Sequence, residues 1–156
     1  MRLYARRVLG MAVLFAATGP LAFAADAKEE AIQKDRKRFE GTWQVVSLEV
    51  DGNKAAEADA QKIRVINEAD GAWTIEIEGK VAARGTSKID PTKKPRTIDL
   101  TVTEGNSKGK TTLGIYHFEG DTRKVCYAPP DKERPAEFSS TVGSGHILVV
   151  LQRVKK

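Results

Sequence analysis

The chain has 156 residues, with 26 basic and 21 acidic side chains and a formal charge of +5. Three of the bases (Arg2, Arg6 and Arg7) precede an apolar leader segment; without them +5 falls to +2. That is too thin for the concentrated basic face that nucleic-acid binding needs, so nucleic acid is set aside as a partner. With one cysteine, Cys126, there is no internal disulfide, and the fold must be held by its core.

Residues 1–24 carry the features of a cleavable signal peptide. A basic stretch leads into the uncharged run Val8 to Phe15, and Ala22-Phe23-Ala24 supplies small residues at the cleavage positions. The run is too short to span a bilayer, so no membrane span is expected in the mature form. Export to the periplasm or the exterior follows. Arg6-Arg7 hints at twin-arginine export, although the rest of that motif is poor. The expected layout is a leader over 1–24, a helix within 25–40 and a β domain over 41–156.

Asp26 to Phe39 reads as a short helix with Asp26 as N-cap and Glu29 at the capping-box position. Beyond Gly41 the apolar period drops to two. Strands are expected near 42–50, 62–68, 72–78, 81–88, 97–103, 111–118, 122–128 and 146–153. No connection is long enough for a crossover helix, which excludes parallel βαβ units. The fold class is therefore all-β: a single eight-stranded antiparallel up-and-down barrel, closed so that no edge is exposed, with a short N-terminal helix. A two-sheet sandwich is the alternative.

Alternation selects the inward faces. Trp73, Ile75 and Ile77 share one face, as do Ile98, Leu100 and Val102, and Val125 with Tyr127. Lys124 and Cys126 fall outside, with Cys126 as a half-buried strand residue. Tyr116 and Phe118 are assigned inward and His117 outward. Val46, Leu48, Leu148 and Val150 form an apolar outer patch, a surface for a partner unless the helix covers it.

In a closed meander the first strand's start lies beside the last strand's end. Gly41 then lets the chain turn into the first strand and Trp43 plugs the lower end; Arg153 either reaches across the indole as a cation–π partner or stands as a solvent-exposed terminal arginine beside an ordinary core tryptophan. "FEGTW" followed by an apolar strand resembles the G-x-W opening of the calycin superfamily, which includes lipocalins and fatty-acid-binding proteins. Arg153 is similar to the lipocalin arginine that packs on that tryptophan. Over nearly the whole mature chain, "GTWQVVSLEVDG", "IDPTKKPRTIDL", "GIYHFEGDTRKVCYA", "KERPAEF" and "LVVLQR" resemble a lipocalin-like family of small secreted domains found mainly in planctomycetes. The resemblance implies the barrel and the export, and leaves the activity open. The Arg-x-Tyr carboxylate clamp of fatty-acid-binding proteins is not matched, since Arg153-Val154-Lys155 stands there.

The longer connections fall at the upper end, notably residues 129–145, which makes that end the candidate mouth. Lys108, Lys110, Lys132 and Arg134 lie in those loops and form a candidate rim for an anionic headgroup. Ser47, Ala83, Gly85 and Gly114, with Tyr116 and Tyr127, are candidate cavity-lining residues. An eight-stranded barrel is wide enough either to be filled by side chains or to hold one small ligand, and both remain open. His117 and His146 lie at no metal-ligand spacing, and no nucleophile elbow, P-loop or dinucleotide fingerprint occurs. No metal or cofactor is called for, and a non-enzyme is expected. Two functions stand: a barrel that binds a small apolar or amphipathic ligand, or a filled barrel engaging a protein or envelope partner through its surface.

Overall fold

The computed structural model describes residues 20–155, so residues 1–19 of the expected leader lie outside it. The elements run α1 (Pro20–Phe39), β1 (Gly41–Val50), β2 (Asn53–Lys54), α2 (Glu57–Ala60), β3 (Ile63–Asn67), β4 (Ala72–Ile77), β5 (Lys80–Asp90), β6 (Arg96–Glu104), β7 (Thr111–Glu119), β8 (Thr122–Tyr127) and β9 (Ile147–Arg153). Each long strand pairs antiparallel with its sequence neighbour, and β9 returns to β1, closing an eight-strand up-and-down barrel. The two-residue β2 is an addition to the expected eight.

Within β1 only Gly41–Gln44, at its start, pair with β3. Above that point β1 pairs instead with β2, and α2 packs into the seam with Ala60 fully buried. Gln44 bridges the seam, donating from its side-chain amide to the carbonyls of Gln61 (2.7 Å) and Ile63 (2.8 Å).

A β-bulge at Val46 changes the expected facing of upper β1. Val45 pairs with Leu151, but Ser47 pairs with Val150 and Leu48 with Val149. The extra residue flips the parity, so Ser47 leaves the interior and Leu48 enters it. The expected outer patch of Val46, Leu48, Leu148 and Val150 accordingly loses Leu48.

Helix α1 begins before Asp26, which sits inside the helix and not at its N-cap. The alanines at 22, 24 and 25 sustain helix through that point. The helix does not cover the β1–β9 face either. It lies across the lower barrel opening, where Lys28 pairs with Asp90 at 2.8 Å and Arg36 donates to the Ser87 hydroxyl at 2.6 Å. Phe39 enters the core edge-on to Tyr116 (4.9 Å) and Phe118 (5.0 Å).

The end of α1 answers why Gly41 and Trp43 occur together. A helix C-terminus leaves carbonyls without intrahelical donors. The Trp43 indole N–H donates to the Phe39 carbonyl at 2.8 Å, and Arg153 donates to the carbonyls of Glu40 (2.7 Å) and Arg38. The Arg153 guanidinium also lies 4.4 Å from the Trp43 ring. Gly41 has φ 110°, a backbone conformation that calls for glycine, and a Cβ there would stand in tight contact, 3.2 Å, with Arg153 Nη1.

The long connection between β8 and β9 does not rim the mouth. It descends the outer face of β6 and β7 and climbs back. Arg134 anchors it below, and Ser140 above, accepting from the Gly52 N–H (2.9 Å) and donating to the His146 carbonyl (2.8 Å). Beneath it, Ile115, Cys126 and Ala128 are buried although they face outward from the barrel. Cys126 is thus fully buried, not half-buried; its thiol lies 3.3 Å from the Ser139 carbonyl, and burial raises its pKa.

Replacing Arg153 by alanine removes one cation–π contact and two carbonyl caps, and should cost about 2 kcal/mol. Lysine keeps the charge but not the fork, and should recover less than half of that loss. Urea unfolding of the two variants measures both.

Candidate functional site

The interior divides into a packed floor and a hollow above it. On the floor Trp43, Tyr116, Phe118 and Phe39 pack as an aromatic cluster, with Trp43 and Phe118 centroids 5.9 Å apart. Asp35, 3% exposed, closes this layer from α1: it accepts the Tyr116 hydroxyl at 2.8 Å and lies 3.3 Å from Arg96 Nη1. Above the floor is a cavity of about 240 Å³. Its wall is almost entirely aliphatic, with Leu48, Val65, Ile75, Leu100 and Val149 among the contributors and Trp73 on one side. Ile77 lines the cavity and is 44% exposed, so the hollow reaches solvent at the upper end.

The expected lining residues are only partly those observed. Tyr127 lines the cavity. Ser47 points away because of the bulge. Tyr116 belongs to the floor, below the hollow. Ala83 stands opposite Ile75 but does not line the space. Gly85 and Gly114 do face inward, but they make room for rings and leave no void. A Cβ at Gly85 would meet the Trp73 ring at 2.3 Å and the Thr101 carbonyl at 2.1 Å; at Gly114 it would meet the Tyr127 ring at 2.4 Å.

The expected cationic rim loses Arg134. Lys108 and Lys110 are exposed in the upper β6–β7 loop, and Lys132 is exposed in the turn after β8. Arg134 lies outside the barrel wall, where it pairs with Asp99 at 2.7 Å and donates to the carbonyls of Gly114 (2.7 Å) and Ile98 (3.2 Å). It is a strut for the long loop. Gly41, Trp43 and Arg153 occupy the closure assigned to them. His117 is exposed, 6.5 Å edge-on from Phe138, and His146 approaches the Ser139 carbonyl at 3.3 Å. Among the described residues no three His, Cys, Asp or Glu side chains converge as a metal site.

The charge that reaches the cavity is Arg123. It is 3% exposed, lines the lower end of the hollow and lies over the rings of Trp43 (4.5 Å) and Phe39 (4.8 Å). Its Nη1 donates to the Asn67 side-chain oxygen at 2.8 Å. Burial lowers its pKa to about 10, leaving it charged at neutral pH. Arg123 shares the parity of Val125 and Tyr127, so alternation alone places it inside. Its charge and its position beside the 119–121 hairpin are surface signals, so parity is the one inward signal the sequence carries for it.

No protein-family model matches the chain, and no curated protein or solved structure matches it significantly.

Tyr116 of the floor and Tyr127 of the cavity wall give stability an alkaline dependence. Burial, and then the hydrogen bond to Asp35, raises the Tyr116 pKa, and burial pushes Tyr127 up to about 12. An unfolded tyrosine titrates near pH 10. Both groups thus contribute stability that is complete below pH 10 and is lost as pH rises above it. Arg123 acts oppositely, its cost being relieved as pH climbs from about 10 towards its unfolded value. Tyr116→Phe should cost about 2 kcal/mol at pH 7 by removing a hydrogen bond to a carboxylate. It should also flatten the fall in stability above pH 10, read by urea unfolding across pH 7 to 11.

Proposed function

We propose that this protein is an exported, non-catalytic, lipocalin-like barrel that binds a small apolar or amphipathic molecule in its interior. The observation that carries the reading is the aliphatic cavity of about 240 Å³, which opens past Ile77 above a fully packed floor. Apolar pockets with a few placed polar groups are the usual form of small-molecule sites, and this one lies just below their usual size range of roughly 300–1,000 Å³, which points to a small ligand. The filled-barrel alternative is weakened twice: the upper interior is hollow, and the outer patch invoked for a partner loses Leu48 to the cavity wall.

Export is supported by the leader features and by where docking begins. Leu21 and Phe23 stand 85% and 71% exposed, whereas the first helix residue clasped to the barrel is Lys28, beyond the expected cleavage point. Cleavage after Ala24 would remove the exposed apolar turn and leave the docked part intact. N-terminal sequencing of the protein recovered outside the producing cell's inner membrane should start at Ala25. Recovery of the uncleaved chain would contradict the assignment.

Native mass spectrometry of mature protein from its own host should show an added mass that is lost on denaturation. Val149→Phe places a ring in the hollow and should lower ligand occupancy at least tenfold with the melting temperature held. Trp73, on the cavity wall, supplies a fluorescence readout for added alkyl compounds. A bare mass, together with no Trp73 response, would instead favour a protein that works through its surface.

A further inference from the structure

Arg123 is a buried cation without an anion. Among the described residues no carboxylate lies within ion-pair distance of it, whereas Arg84, Arg96, Arg134 and Arg153 each have one. Its Nε has no hydrogen-bond partner, and neither does the side-chain nitrogen of Asn67, the residue to which it donates. Both residues line the same apolar cavity. Burying a charge and two donors without acceptors is costly, and proteins keep such an arrangement where something else supplies the acceptor.

The missing acceptor has a definite shape. The guanidinium is planar and donates within its own plane, so the unpartnered Nε leaves hydrogen bonding open along its edge, and the unpartnered Asn67 amide belongs to the residue that already accepts from Nη1. An arginine edge matches a planar carboxylate through paired N–H donors. Tyr127 adds a phenol to the cavity wall and stays neutral at physiological pH, so it retains a proton to donate. One buried positive charge balances a monoanion; a phosphate dianion would leave net charge in an aliphatic hollow.

Size sets the rest of the ligand. A cavity of about 150 Å³ accommodates benzene, so about 240 Å³ corresponds to roughly ten non-hydrogen atoms. Along β3, the four-residue rise from Asn67 to Ile63 spans about 13 Å between the polar end and the mouth. That is a slot for one extended chain.

Resting on the binding reading above, we infer that the ligand is a medium-chain monocarboxylate, seated head-first on Arg123 and Asn67 with its alkyl chain directed towards the mouth at Ile77. The headgroup is received at the bottom of the barrel and not at the rim.

The test uses delipidated mature protein, titrated at pH 7 with octanoate, 1-octanol and methyl octanoate, and followed by calorimetry and tryptophan fluorescence. Octanoate should bind at least tenfold more tightly than either neutral compound. Arg123→Met, of similar length and apolar, should lose at least tenfold in octanoate affinity while keeping or improving that for octanol. Asn67→Leu should weaken octanoate binding several-fold. Equal or tighter binding of octanol by the unaltered protein would overturn the headgroup assignment while leaving a ligand-binding barrel. If none of the three compounds binds, both the assignment and the binding reading fall. The comparison within the unaltered protein decides the matter even where a substitution prevents folding.

Discussion

The structure depends on how the end of one helix is held. The last carbonyls of α1 meet two donors that come from opposite ends of the barrel sequence: Trp43 opens β1, and Arg153 closes β9. Those two residues are also cross-strand partners in the pairing that closes the barrel. Closing the sheet and seating the helix are therefore one event. The helix in turn delivers Phe39 and Asp35 to the floor, and the floor separates the hollow above from solvent below. The Trp43–Arg153 contact therefore bears on both the cavity's lower boundary and the aromatic contacts of Arg123.

The interior combines two solutions to the same problem. An eight-stranded barrel has just enough width to be filled or to hold one small molecule. Here large aromatics fill the lower part, while branched aliphatics line the upper part without meeting across it. The bulge at Val46 contributes by turning Leu48 inward, which makes the β1 wall as apolar as the others. Glycines at 85 and 114 let Trp73 and Tyr127 lie flat against neighbouring strands. Polar atoms at the bottom of such a hollow face little solvent, and this is where the electrostatic interest of the molecule is concentrated.

Much of this architecture was legible from alternation. The inward set Trp73, Ile75 and Ile77 and the approach of Arg153 to Trp43 follow from a period of two and from closure. What escaped was non-local. A bulge leaves no mark in a run such as "TWQVVSLEV", because both registers bury apolar residues. The fold-back of residues 129–145 depends on Arg134 finding Asp99 and two strand carbonyls, none of them near it in sequence. Gly85 and Gly114 were read as space because the rings that need them belong to other strands. Arg123 has the inward parity of Val125 and Tyr127, but a charged residue beside a hairpin carries no local mark of burial.

The folded-back loop has a chemical consequence for the lone thiol. It turns part of a one-layer wall into two layers, and Cys126 lies between them, fully buried. An exposed single cysteine in oxidising surroundings would couple copies of the chain or climb to sulfenic and sulfinic acids. Beneath the loop the sulfur is out of reach of a second molecule, and burial holds it in the less nucleophilic thiol form. The segment that looks most dispensable by length is the one that keeps the protein monomeric with respect to its own sulfur chemistry.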